Sequence, residues 1–405
     1  MNFKTGNRDE PCWLALLIPA GAKDESAIIL KSLGPAGLVD EAFARLRATE
    51  SKEDAQALYA LLFGELDGEL AKYDILYLAP DGMLDLVAFA RLVLPDGRYW
   101  IERQQLRQIR AGRDLVGWSE RCEPQHEIPA STVGVRSLPP NGPGGPRGYR
   151  LRRVPDGWGS RLERSIPATP TNTLPPAASE MLPAMNQHLR EARDAFSPLP
   201  ATGPEVGIIA ERYEELTNHE AVVCTGTDAS DHRLKHLSEP PRVLHLATHG
   251  FFLENGLALA GANRGIMGET GTDGEDGILY ALEAQNLNLE GTELVVLSAC
   301  DTGKGKVDYS EGVYGLTRAL RTAGARNILM TLWPLNDELA EEFMLNFYEN
   351  WLSEPSTGSS LRSTAGDSLR STLATALYAT RLAWINSKDK EKRNPRYWAP
   401  YVLVE

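Results

Sequence analysis

Residues 243–250 read VLHLATHG and residues 294–303 read LVVLSACDTG, so that each apolar run ends in a potentially reactive side chain followed by small residues. Short apolar runs bounded by turn-forming residues are typical of buried strands. In open α/β sheets, ligands bind outside the carboxyl ends of the strands. We therefore expect two neighbouring strands to bring His249 and Cys300 together at that edge.

The chemistry of the two side chains explains why they belong together. The thiolate is the nucleophilic form of cysteine, and a nearby imidazole promotes its formation and can then protonate a leaving amine. The backbone N–H groups of Gly250 and Cys300 are natural donors to a tetrahedral oxyanion. The separation, 300 − 249 = 51 residues, is close to the roughly 50 residues between the two catalytic groups of caspases.

The order of the predicted elements indicates an α/β fold with a mostly parallel sheet flanked by helices. We divide the chain into a first ordered block at 13–118, a Pro/Gly-rich insertion at 119–197 that we expect to be partly disordered, and a second block at 198–405. The first block begins with two strands, over 14–18 and 26–33, and continues with helices over 38–47 and 54–69. In the second block, 221–224 is predicted to be a short strand and Gly324 to end the helix over 311–322.

The composition excludes several classes of function. A net charge of −13 disfavours nucleic acid or an anionic membrane as the main partner, because such binding draws on Lys and Arg. No apolar run approaches the roughly 20 residues that span a bilayer. The four cysteines, at positions 12, 122, 224 and 300, have no short paired spacing, which favours a reducing compartment. We expect a cytoplasmic protein without a metal or other cofactor.

Beyond these patterns, the sequence resembles a known family. The segments HLATHGFF at 245–252 and LSACDTG at 297–303 are similar to the two signature strands of CHAT domains, which are caspase-like domains often associated with tetratricopeptide repeats. The resemblance extends to APDG at 79–82, GRYWIE at 97–102 and YWAPYVLV at 397–404. It covers most of the chain apart from the insertion.

The resemblance implies a caspase-like fold in which the N-terminal block is a pseudo-protease-like or accessory α/β portion. It implies peptide-bond hydrolysis by a dyad of Cys300 and His249, a protein substrate, and an activating protein or sensor partner. Bacterial relatives commonly act as regulated proteases, some of them in antiviral defence. Around the dyad, the resemblance points to Ser298, Asp301, Trp333 and Asp337 as candidate substrate-binding residues.

The substrate preference is predicted from what these positions lack. Basic-specific relatives tend to have Asp two residues before the nucleophile, where this chain has Ser298, and no clear arginine counterpart for an acidic P1 residue appears at Asp301. We therefore expect a neutral or apolar P1 residue. Trp333 is as consistent with a structural aromatic as with a pocket wall, and Asp337 could equally cap the following helix.

Several other interpretations stay open. The same fold could serve as a catalytically idle interaction module, or the dyad could act on a small-molecule amide. His245 is expected to be a core residue with satisfied polar groups. The acidic stretch 269–276 lacks the spacing of a calcium-binding EF-hand loop, so a solvated loop is the preferred interpretation. The arginines within 147–153 are interpreted as a solvated loop, with a docking or processing site as the alternative.

Overall fold

A computed structural model describes residues 11–22, 24–110, 131–137, 195–196, 199, 202–251, 256–299, 310–333, 335, 337–353 and 372–405. For 131–137, 251, 299, 310–314 and 337 it describes the backbone alone. Cys300 and Asp301 lie outside the described residues, as do the arginines within 147–153.

The described strands form one sheet in the order β2-β1-β5-β3-β4-β11-β10-β9-β6-β7-β8. Their bounds are β1 Cys12–Ile18, β2 Ile29–Pro35, β3 Ile75–Ala79, β4 Gln105–Gln108, β5 Ser131–Ser137, β6 Val243–Phe251, β7 Gly256–Ala258, β8 Ile278–Tyr280, β9 Leu294–Ala299, β10 Ile328–Thr331 and β11 Tyr401–Val404. The ladders β5–β3–β4–β11 and β10–β9–β6 are parallel. Antiparallel pairing joins β10 to β11 and adds the outer strands at both ends.

Helices cover both faces of this sheet, which confirms the predicted α/β class with a mostly parallel central sheet. Their bounds are α1 Ala36–Thr49, α2 Lys52–Phe63, α3 Asp67–Leu70, α4 Thr202–Thr217, α5 Asp231–Lys235, α6 Ala262–Ile266, α7 Ala281–Ala284, α8 Ser310–Thr322, α9 Asp337–Leu352, α10 Leu373–Ile385 and α11 Pro395–Trp398. None of the helices in the described ranges is both long enough and apolar enough to cross a membrane.

Local sequence explains where several helices begin and end. Ser51 caps α2 by accepting a hydrogen bond from the backbone N–H of Asp54 at 3.1 Å, which satisfies one of the free donors of the first turn. Gly324 follows α8 with a φ of +114°, and a Cβ there would lie 2.5 Å from the Cα of Glu290. Only glycine fits both that conformation and that approach. The predicted end of this helix is confirmed.

The core lies on both faces of the central strands. Alternation along β9 sends Leu294 and Val296 into one apolar cluster, and Val295 and Leu297 into another on the opposite face. Such two-sided burial is what a continuous apolar strand in a parallel sheet requires. The larger cluster also contains Trp100, which is fully buried.

The structure differs from the sequence-based prediction in several strands. Residues 221–224 were predicted to be a strand and are not in the described sheet, so that prediction was wrong. Sequence analysis predicted no strand at β4, β5, β7, β8 or β11. The strand β5 lies within the Pro/Gly-rich segment 119–197 and pairs with both β1 and β3. Both β7 and β8 span only three residues, which is too short for a period-2 pattern to stand out.

Candidate active site

The strands β6 and β9 lie side by side, parallel and in register. Their pairing runs from Val243 opposite Leu294 to Thr248 opposite Ala299. Thr248 directly precedes His249 in the chain, and Ala299 directly precedes Cys300. The expected neighbourhood of the two motif strands is therefore confirmed up to the last residue before each candidate catalytic group.

The strand β6 does not end at His249, where the apolar run predicted its end. It continues to Phe251 because its last residues leave β9 and pair with β7, His249 opposite Ala258 and Gly250 opposite Leu257. The Thr248 hydroxyl also donates a hydrogen bond to the carbonyl of Ala258. Gly250, the candidate oxyanion donor, is buried within this second ladder.

His249 is 6% exposed. Its imidazole lies against the ring of Phe196, with the ring centroids 5.6 Å apart and the planes inclined by 30°. Phe196 is buried in a small apolar cluster with Ala258, Ile266, Ile278 and Tyr280. The candidate base is thus covered by an aromatic side chain from the end of the Pro-rich segment.

Asn263 of α6 holds the backbone of Phe196 in place. Its side-chain Oδ1 accepts a hydrogen bond from the Phe196 N–H at 2.7 Å, and its Nδ2 donates to the Phe196 carbonyl at 3.0 Å. Two such bonds hold the backbone of Phe196 on both sides of its Cα. Sequence analysis missed this clamp, since no spacing pattern connects residues 67 positions apart.

His245 lies on the same strand, four residues before His249, and is nearly buried. Its Nδ1 is 3.2 Å from the Tyr348 hydroxyl, and its Nε2 is 3.5 Å from Oε1 of Glu205. The 3.5 Å between Nε2 of His245 and Oε1 of Glu205 suits an ion pair better than a well-aligned hydrogen bond. In the described part of the chain, neither Nε2 of His245 nor Oε1 of Glu205 has a hydrogen-bond partner. Burial, reinforced by the Glu205 carboxylate, raises the pKa of Tyr348. His245 is nearly buried, as predicted for a core residue, but the expectation that its polar groups are satisfied was wrong for Nε2.

The candidate substrate-binding residues have different surroundings. Ser298 is half-buried and lies opposite Ala247 in the ladder between β9 and β6. The Trp333 indole donates a hydrogen bond to the Arg396 carbonyl at 2.9 Å, and the Arg91 guanidinium lies 5.4 Å from its ring centroid. Those contacts fix the orientation of the Trp333 indole just past the end of β10. Asp337 begins α9, and its side chain lies outside the described part.

One residue of the acidic stretch 269–276, Glu275, forms an ion pair with Lys235, which the sequence analysis did not single out. The Lys235 ammonium lies 2.5 Å from Glu275, 2.7 Å from Glu283 and 3.4 Å from Asp231. Burial alone would lower the pKa of Lys235, but these carboxylates outweigh it and raise that pKa. Residues 269, 270 and 272–274 are exposed, as the solvated-loop interpretation predicts, and Glu275 is the part of the stretch that Lys235 holds against the protein. The spacing of Asp231 and Lys235, one helical turn apart, was the available signal.

Comparison with known proteins gives this arrangement a family. The family model of the CHAT domain matches residues 52–405. A curated mouse protein, "Tetratricopeptide repeat protein 28" [Mus musculus], is 34% identical over 84 residues, which is 21% of this chain and 3% of that protein. The chain therefore spans a small fraction of this relative's length. With most of its residues matched, the chain belongs to the CHAT-domain family of caspase-like cysteine proteases.

Proposed function

We propose that the protein is a cysteine endopeptidase with Cys300 as nucleophile and His249 as general base. The observation that carries the proposal is the pairing of Thr248 with Ala299, which brings together the chain positions that lead into the two groups. Membership of a caspase-like protease family supports the same reaction. No cofactor is needed, because thiolate and imidazole supply the nucleophile and the proton transfers.

The proposed reaction has two steps. His249 takes the proton of the Cys300 thiol as sulfur attacks the peptide carbonyl carbon, and the N–H groups of Gly250 and Cys300 stabilise the oxyanion. The C–N bond breaks, and the imidazolium gives its proton to the leaving amine. Water, deprotonated by His249, then attacks the thioester, which releases the carboxylic acid and restores the thiol.

The cover over His249 suggests how this activity is controlled. With Phe196 packed against the imidazole, the leaving amine of a substrate has no direct approach to a base that is 6% exposed. Displacement of Phe196 would open the base. We infer that an activating protein or sensor partner favours the open arrangement and that the substrate is a protein, in a cytoplasmic defence or signalling pathway.

Substrate selection is proposed to involve Ser298, Asp301, Trp333 and Asp337. A half-buried hydroxyl at Ser298 gives no charge to bind a basic P1 residue, so a neutral or apolar P1 residue is expected. A peptide library tests this preference. Cleavage concentrated after Arg, Lys or Asp would contradict it.

The competing function is a catalytically idle caspase-like module that binds a partner. Burial of His249 under Phe196 favours it, because an idle module needs no access to the imidazole. Both functions share the fold, so only a readout of chemistry separates them.

The decisive experiment compares the wild type with Cys300→Ala in a proteome-wide cleavage assay, with and without candidate activators. We expect wild-type cuts to fall by at least about 10³-fold in Cys300→Ala and in His249→Ala, as for removal of a catalytic dyad member. Cys224→Ala, which removes a half-buried cysteine away from the sheet, is the matched control and should cleave normally. To cover the possibility that no activator is found, Phe196→Ala is assayed in parallel. If this opened variant also produces no Cys300-dependent cut, the idle module is the better description.

A further inference from the structure

A cavity lies between the strands β3, β4 and β11 and the helix α10, far along the sheet from His249. Its walls include Leu78, Leu106, Gln108, Leu377, Tyr378 and Arg381. The strands β10 and β9 separate β11 from β6 in the sheet order, so this cavity is distinct from the candidate active site. Its polar groups are mostly hydrogen-bond donors.

Arg381 is the charged group of this cavity that has no counter-charge. The residue is 6% exposed. Its Nε donates to the Trp398 carbonyl at 3.3 Å and its Nη2 donates to the Tyr401 carbonyl. No carboxylate of the described residues lies within ion-pair distance of it, and burial lowers the pKa of its guanidinium to about 9. The group therefore stays protonated at neutral pH at a substantial cost in free energy.

Further donors at the cavity are also unused. Within the described ranges, no hydrogen bond to a protein group involves Nη1 of Arg381, the Tyr378 hydroxyl or the Gln108 side-chain amide. These three groups are not fully enclosed, so water or a ligand in the cavity can reach them. Buried polar groups in folded proteins are normally paired with protein, water or ligand. Two donor side chains, Tyr378 and Gln108, beside one uncompensated cation are complementary to an anion.

A second arginine at the same cavity, Arg107, has a carboxylate that neutralises its charge. Arg107 donates from Nε to Glu405 at 2.7 Å and makes a second bond from Nη2 to the other carboxylate oxygen. Its positive charge is therefore neutralised within the protein. The cavity thus has one net positive charge, on Arg381.

We propose that this cavity is a binding site for a small oxyanion, the carboxylate or phosphate group of a small molecule, held by Arg381 with Tyr378 and Gln108. Guanidinium groups bind both kinds of oxyanion through charge-assisted hydrogen bonds. The bound anion neutralises Arg381 and ties α10 to β4. This site is independent of the proposed protease activity.

Binding is measured on the full chain by thermal unfolding, with sodium phosphate or sodium acetate titrated at constant ionic strength against sodium chloride. A ligand that binds only the folded state raises the Tm along a saturable curve. We expect saturable stabilisation by phosphate or acetate beyond that of chloride, and the effective anion identifies the oxyanion class. Absence of a saturable increment with both anions would overturn the proposal.

Two matched pairs of variants assign the increment to this cavity. Arg381→Met should abolish it, whereas Arg91→Met removes an equally buried arginine outside the cavity and should keep it. Tyr378→Phe should raise the half-saturating anion concentration about tenfold, since a hydrogen bond to a charged group is lost. Tyr77→Phe, outside the cavity walls, should leave it unchanged. If Arg381→Met does not fold, the tyrosine pair decides: equal half-saturation in both tyrosine variants means that the anion binds elsewhere.

Discussion

Two parts of the sheet are stabilised by different physics, the middle at β3 and β4 and the end at β7 and β8. Near β3 and β4, four aromatic rings pack around one another: Tyr59, Phe63, Phe89 and Trp100. Near β7 and β8, the nearly buried Lys235 instead forms ion pairs with three carboxylates. The first arrangement has little dependence on pH, whereas the second depends on which groups are ionised. The candidate catalytic histidine lies at the second of these parts.

In the aromatic cluster near β3 and β4, the rings pack closely and the polar N–H of Trp100 is also hydrogen-bonded. The Trp100 ring centroid lies 4.7 Å from that of Phe63 and 5.1 Å from that of Tyr59. Its indole N–H donates to Oε1 of Gln104 at 2.8 Å, so the large ring is buried without an unpaired donor. Tilted and edge-on pairs of this kind add to the stabilisation from apolar burial.

At the polar end, ion pairs also determine the position of the backbone. Oδ2 of Asp231 accepts from the N–H of Gly277 at 3.2 Å, and Oε2 of Glu283 accepts from the N–H of Tyr280 at 3.1 Å. These carboxylates therefore fix both sides of β8, which pairs with β7, the partner of His249. A change of charge at Lys235 should reach the candidate site through these strands.

The largest expected loss of stability comes from a substitution in the aromatic cluster near β3 and β4. Trp100→Ala should lower the free energy of unfolding by about 4 kcal/mol, because a fully buried ring is replaced by a cavity. Urea denaturation of the two proteins measures the difference. It should be the same at pH 5 and pH 7.5, since the rings carry no charge. A difference that changes by more than about 1 kcal/mol between the two pH values would contradict a purely apolar role.

The next effect is at Lys235. Lys235→Met keeps the apolar stem but leaves Asp231 and Glu283, 1% and 6% exposed in their side chains, without their counter-charge. Breaking a buried ion pair in this way should cost about 3 kcal/mol at pH 7.5. Urea denaturation again measures the loss.

The pH dependence separates this effect from simple loss of packing. Burial already raises the pKa of Asp231 above 3.8 and that of Glu283 above 4.5, and Lys235 opposes the shift. Without the lysine both pKa values rise further, so the variant loses stability as pH rises above about 4.5. The wild-type contribution of Lys235, whose own pKa is raised, persists up to at least pH 10.5. The deficit should therefore be smaller at pH 5 than at pH 7.5. An equal deficit would mean that packing of the stem dominates.

Much of the fold was predictable from the sequence because its central strands are long apolar runs with helices between them. The helix predicted over 38–47 lies within α1, where Val39, Ala42, Phe43 and Leu46 form a buried face at helical spacing. The missed strand β5 has the sequence STVGVRS, in which glycine and polar residues obscure the pattern. Its place between β1 and β3 depends on long-range pairing, which local propensity does not contain.

For the candidate site, the sequence predicted which strands carry His249 and Cys300 but not what surrounds them. Motif and spacing predict which strands carry the reactive residues. The roles of Phe196, Asn263 and Lys235 depend on contacts with segments far away in the sequence, which no local pattern reveals. The sequence was also misleading about the end of β6, because apolar length alone does not reveal that the strand changes partner from β9 to β7. The dyad itself stays a prediction.

The smallest expected effect concerns the cover of His249. Asn263→Ala removes both hydrogen bonds that hold the Phe196 peptide and should weaken its closed position by about 1–2 kcal/mol, as for loss of one or two net hydrogen bonds. Local opening becomes more frequent by the corresponding factor, about tenfold. Carbethoxylation of His249, followed by mass spectrometry, should therefore proceed about ten times faster in the variant.

Two controls make this effect specific to the clamp. Asn263→Asp can still accept from the Phe196 N–H but cannot donate to its carbonyl, so its modification rate should lie between those of wild type and Asn263→Ala. His236, an exposed histidine stacked on His232 with ring centroids 4.1 Å apart, should react equally fast in all three proteins. If the modification rate of His249 is unchanged in Asn263→Ala, the apolar neighbours of Phe196 hold it in place and the two hydrogen bonds from Asn263 do not. If His236 also accelerates, the variant is loosened globally and the local interpretation is wrong.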